Sequence, residues 1–284
     1  MTTSDDDPRW DPPLDQLAEV CATAAFMARD ISLLKPQEPS GDLRELDTKI
    51  DQGAGVNILR FGHEATTGYL QGAGDLLHSI ARLITENPAA VSPIVLARST
   101  GEYSAFAWWL SDPKDSPNQR AGKARRIAQT ALSEHTMDIH AAPFRKVFNT
   151  WSSRAPIKIA GKPDPEKLIR AMLGSNYNDQ VKNTSWYVHA VAITLIQTIE
   201  SAKRNHPRNR QAAWNEGLFA LQAVIHASER VTQLRNGDLS AIAAAKRASG
   251  RLVDLLRDDH NPDTKTPRSA ARGVAAAQPP TREF

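Results

Sequence analysis

The sequence holds a single cysteine, Cys21, in 284 residues. No intramolecular disulfide can form, and zinc sites built from paired cysteines are excluded. That usage fits a reducing interior, and the expected location is the cytoplasm. No apolar run reaches the roughly 18 residues that a membrane helix requires, and mean hydropathy is −0.45. Residues 1–15 are acidic and proline-rich where a secretory leader would be basic and then apolar, so neither a leader nor a membrane contact is expected. Phosphate cradles are missing as well. There is no G-x-G-x-x-G, and the Gly161–Lys162 pair lacks the upstream glycine and the following Ser or Thr of a P-loop. No nucleophile elbow of the serine-hydrolase kind occurs. Ser111 to Lys114 spell S-x-x-K only with a helix-breaking Pro113 between them.

Metal spacing is equally sparse. A di-iron bundle needs two Glu-x-x-His pairs and two further carboxylates, and the nearest feature is the single pair Asp75 and His78. His135 and His140 stand five apart on one helical segment, about 140° around the axis, and so point different ways. Neither a metal nor a cofactor is expected.

Alanine and arginine are plentiful: 41 residues are alanine, and 23 of the 35 basic residues are arginine. Both are strong helix formers, so composition favours helices over strands. Charge is divided unevenly. Residues 1–115 carry a net −9 and residues 116–284 a net +12, which the modest total of +3 conceals. The halves either neutralise each other, or the second half meets an acidic partner such as RNA or an acidic protein.

Periodicity places a first helix from about Leu14 to the residues before Pro36, with Leu17, Val20, Cys21, Ala24, Ala28 and Ile31 on one stripe. One turn is expected around 42–50, then long helices over about 64–86, 91–110 and 119–140. Shorter pieces follow near 143–154 and 166–173, and two more helices near 214–228 and 238–257. Gly68, Gly72 and Gly74 suggest close approach of a neighbouring helix. The stretch 183–203 is apolar on every side and is expected at the centre of the fold. No alternating run bounded by turns reads as a strand. The expected fold is all-α, an up-and-down bundle over residues 14–259, flanked by disordered segments 1–13 and 260–284.

The helix over 91–110 carries an anomaly. Val91, Ile94, Ala105 and Trp109 share one apolar stripe, and Arg98 and Glu102 fall in its middle. Arg before Glu at i, i+4 is the weaker order for an exposed pair, so surface stabilisation explains it poorly. Two readings stand: a buried ion pair that fixes helix packing, or a polar cleft with Trp108 or Trp109 on its wall. The next helix opens with Arg120, Lys123, Arg125 and Arg126. Residues 145–170 add seven basic side chains against two acidic ones, with Phe148 and Trp151 between them. Such a surface would suit RNA or single strands, and the alternative is ordinary solvation of outer faces.

The run LARSTGEYSAFAWWLSDPKDSPNQRAGKARR resembles a pattern of uncharacterised bacterial helical proteins: an Arg, a Glu four residues later, an aromatic-Leu pair, an Asp-Pro break and an arginine-rich helix. Those proteins are similar in layout to the HEPN-like superfamily of helical bundles. The resemblance spans about residues 85–200 and implies that Ser185 and His189 in NTSWYVHA are counterparts of a later Ser and His. It also implies a toxin or phage-defence setting and a homodimer as a possible assembly. HEPN-type ribonucleases place an Arg four to six residues ahead of a His, and none of the eight histidines here has that neighbour. The leading expectation is therefore a non-enzymatic binding or interaction module. The alternative is a HEPN-type RNA binder or ribonuclease with an atypical constellation of Arg98, Glu102, Arg126 and His189.

Overall fold

Small and branched apolar residues at three- and four-residue spacing build the first helix, α1 (Leu14–Ser32), with Leu17, Cys21, Ala24, Ala28 and Ile31 buried on one side. In this computed structural model, which describes residues 12–86, 91–134, 142–177 and 207–260, the chain continues through α2 (Leu43–Asp51), α3 (Ile58–Glu86) and α4 (Val91–Leu110). There follow α5 (Pro117–Glu134), α6 (Ala142–Ser152), α7 (Pro165–Leu173), a single turn at Ser175–Tyr177, α8 (Pro207–Leu234) and α9 (Ser240–His260). The fold is all-α: the described residues form no strand, only an isolated bridge between Glu38 and Gly41. No helix among them is long and apolar enough to cross a membrane.

α1, α3, α4 and α8 form a four-helix bundle. Thr67 Oγ1 donates to the Ser32 carbonyl and Phe26 lies against His78, so α1 and α3 run antiparallel. Tyr69 stacks on Phe106 while Gly72 sits under Tyr103, so α3 and α4 do too. The alternation then stops. Gly101 packs on Phe219 and Trp108 on Arg230, which makes α4 and α8 parallel, and the segment carrying α5 to α7 supplies the crossover. α9 folds back on α8 through Lys246 to Glu229 at 2.6 Å and on α1. Of the three glycines in α3, Gly74 has the clearest steric reason, since a Cβ there would lie 3.1 Å from the Ala25 carbonyl oxygen of α1.

α8 is the most deeply placed helix among the described residues. Trp214, Phe219, Leu221, Val224, Ile225 and Val231 are fully buried and point to several sides. The stretch 183–203, expected at the centre, lies outside the described residues, as do 1–11 and 261–284. Pro12 is ordered and buried, and its carbonyl accepts from Leu14 N at 2.8 Å and from Arg210 at 3.3 Å. Near the other end of α8, buried Arg235 donates to the carbonyls of Ser32, Leu34 and His63 and to Thr67 Oγ1, at 2.9–3.1 Å, so one guanidinium ties α8 to α1 and α3. Burial pulls its pKa down to about 10.

A second apolar cluster lies beside the bundle, where the start of α3 meets α2, α5 and α6 around Ile58, Leu59, Ala124, Phe148 and Trp151. Burial of Phe148 alone contributes about 2–3 kcal/mol. α3 starts at Ile58, six residues before the position its periodicity suggests. The cap explains the difference, because Leu59 N and Arg60 N donate to the Asp47 carboxylate at 2.6 and 3.0 Å, a partner delivered by α2 instead of the preceding residue.

Candidate functional site

α7 begins with an Asp164 cap, whose side chain accepts from Glu166 N and Lys167 N, and with Pro165 in its first turn. That start turns Glu166 toward α4. Arg98 Nε donates to Glu102 at 2.7 Å, and the same guanidinium lies 3.7 Å from Glu166, which in turn reaches Arg170 at 3.7 Å. The side chain of Arg98 is 8% exposed, against 34% for Glu102 and 38% for Glu166. The arrangement falls between the two sequence readings: the cation is inside and its carboxylates sit at the water's edge. Trp109 is not a wall of this cluster, since eleven residues along a helix separate it from Arg98 by about 16 Å. It carries the Lys123 ammonium 5.3 Å above its ring. Trp108 stacks under Arg230 at 3.8 Å. His189 lies outside the described residues.

The asymmetry in exposure sets an expected result. Arg98→Ala should cost about 2–4 kcal/mol through lost packing and a buried void, whereas Glu102→Ala should cost below about 1 kcal/mol because its carboxylate is largely solvated. A double-mutant cycle on urea unfolding separates the contributions. Losses below about 0.5 kcal/mol for both would remove Arg98 from the core and leave ligand contact as its remaining role.

The four basic residues of α5 are engaged internally. Arg120 is buried and bonds the Glu38 carboxylate and the carbonyls of Asp112 and Asp115. Lys123 reaches Asp115 at 2.5 Å and the Trp109 carbonyl at 2.7 Å. Arg125 is buried against Trp151 and donates to Ser152 and to the Ile157 carbonyl, and Arg126 donates to the Ala160 carbonyl at 2.8 Å. Gly122 lets α5 approach that loop, for a Cβ there would run into the Lys158 carbonyl. These guanidinium and ammonium groups hold loops 112–115 and 155–160 onto the fold, so they do not form an open row for phosphates.

The largest internal charged cluster escaped the sequence reading. Glu38, from the loop after α1, accepts from Arg120 and pairs with His63 Nε2 at 2.9 Å, and all three side chains are buried. Burial pushes the Glu38 carboxyl up, but hydrogen bonds from His63 and Arg120 and the charge of Arg120 outweigh it and hold it below the usual carboxylate range. Beside this junction opens a polar cleft of about 1040 Å³. Its buried carboxylates are occupied: Asp47 caps α3, and Asp51 accepts from Gly53 N at 2.9 Å and Asn57 N at 3.2 Å. The loop between them places Gln52 and Asn57 at positive φ, 54° and 51°. No group of three or more metal-ligating side chains occurs among the described residues.

Two more titratable groups are buried. Cys21 is enclosed, and burial pushes its thiol far up, which fits an inert apolar side chain. Glu216 on α8 is 6% exposed, and one of its carboxyl oxygens has no hydrogen-bond partner. Burial alone pushes its carboxyl up to about 8. Periodicity hid Glu216 because alanines 213, 220 and 223 make the other faces of α8 look indifferent, whereas all three are fully buried. No family model matches the chain, and no curated protein or solved structure does so either.

Proposed function

We propose that this protein is a non-enzymatic interaction module of the cytoplasm. The observation that carries the reading is the engagement of its ionisable side chains. Glu38 is fixed between His63 and Arg120, Asp47 and Asp51 are fixed on backbone amides, and the cations of α5 are fixed on carbonyls and carboxylates. Groups held this way position helices and are poorly placed to exchange protons with a substrate. The single buried thiol fits a reducing compartment. What stays open is surface, namely the polar cleft beside α2 and an apolar groove between α1 and α9.

The test is to incubate the purified full chain with total RNA, with and without EDTA, and to follow cleavage and a salt-dependent mobility shift. Neither is expected. Cleavage that disappears in Arg98→Ala or His189→Ala would overturn this reading in favour of the RNA-directed alternative that the HEPN-like resemblance implies. A shift that weakens steeply with salt would do so in favour of RNA binding alone.

A further inference from the structure

The apolar groove between α1 and α9 has a volume of about 790 Å³ and is lined by Val20, Ala24 and Met27 on one side and Ala244, Ala248 and Leu255 on the other. Four of the seven large apolar side chains that the described residues leave exposed lie on these two helices or at their ends: Phe26, Leu33, Leu239 and Leu255. One face therefore carries both a hollow of small residues and projecting side chains of a size to fill such a hollow.

Charge on the rim is arranged just as unevenly. α1 runs parallel to α8 and α9 antiparallel to it, so the start of α1 lies beside the end of α9. On the α1 side this end exposes Asp15 and Glu19, one turn apart. On the α9 side it exposes Arg247 and Arg251, also one turn apart. None of the four side chains has an ion-pair partner among the described residues. A two-fold axis running along the groove lays α1 of one copy over α9 of the other at the same height. It sets Asp15 and Glu19 against Arg247 and Arg251 twice over. An axis across the groove would bring the acidic and basic end over the uncharged end at Met27 and Ala241, and nothing would match.

We propose that a second copy of this chain occupies the α1–α9 groove, forming an isologous dimer in which the acidic edge of α1 meets the basic edge of α9. The inference rests on the interaction reading and names one partner for it.

Sedimentation velocity and light scattering on the full chain should give twice the 31.1 kDa chain mass. Glu19→Arg or Arg251→Glu alone puts like charges face to face and should weaken association about tenfold or more, and the two together should restore it. Ala244→Glu, at an exposed helical position, should abolish the dimer, with circular dichroism and melting unchanged. A monomer at about 100 µM, or a dimer indifferent to all these changes, would overturn the proposal. A monomer that leaves RNA untouched defeats this inference alone, whereas RNA cleavage by a charge-sensitive dimer defeats the interaction reading alone.

Discussion

Glu216→Gln should make the protein more stable at alkaline pH by about 3–5 kcal/mol while leaving it nearly unchanged at pH 5. The carboxyl ionises near 4.5 in an unfolded chain and near 8 in the fold, where burial disfavours the charged form. Between those values the folded state keeps a proton that the unfolded state has released. Unfolding then releases a proton, so raising the pH favours unfolding. Stability falls by up to about 1.4 kcal/mol per pH unit across this window, and the loss is complete above pH 8. The amide does not titrate, so the variant should lose this slope. Urea unfolding at half-unit intervals from pH 5 to 8.5 makes the comparison, and equal slopes for the two proteins would show that the carboxyl reaches water or a partner.

Glu216 also marks where the sequence stops being informative. Helices declare themselves locally, and the spans at 14–32, 91–110 and 165–173 follow from spacing, Pro13, Pro165 and an Asp164 cap that all lie within a few residues. Features made by long-range contacts do not. The start of α3 depends on Asp47, which sits eleven residues before Ile58. The roles of Arg120, Arg125 and Arg126 depend on Glu38, Ser152, Ile157 and Ala160, which are 27 to 82 positions away, so a cluster that reads as a basic face is an internal strut. Arg98 and Glu102 were legible as a pair because their partnership is i, i+4, and Glu166 was not because α7 reaches them only through the fold. Burial of α8 on several faces was hidden by alanine, which suits a core and a surface equally well in a pattern of apolar and polar residues.

The Glu38, His63 and Arg120 junction should be the most sensitive polar point of the fold. It joins the loop after α1 to α3 and α5, and α3 is the helix shared by the bundle and the second apolar cluster. Glu38→Ala leaves a buried guanidinium facing a void, and Arg120→Met leaves a buried carboxylate with only His63 beside it. Each should cost about 3–5 kcal/mol, because an uncompensated charge in low dielectric is worse than none. The double variant Glu38→Leu with Arg120→Met removes both charges and should cost much less than the sum of the singles, a coupling of about 2 kcal/mol or more in a double-mutant cycle. Additive losses below about 1 kcal/mol each would mean that water reaches the pair. The pH profile gives a second check with the opposite sign to that of Glu216. Glu38 ionises below the unfolded value, so it stabilises the fold above that value and its contribution disappears as the pH falls through its folded pKa. The wild type should then lose stability on the acid side through Glu38 and on the alkaline side through Glu216, with its optimum near pH 4.5–5 as far as these two groups decide it. Replacing Arg120 by Met should remove the Glu38 part of the acid limb and leave the alkaline one, and Glu216→Gln should do the reverse.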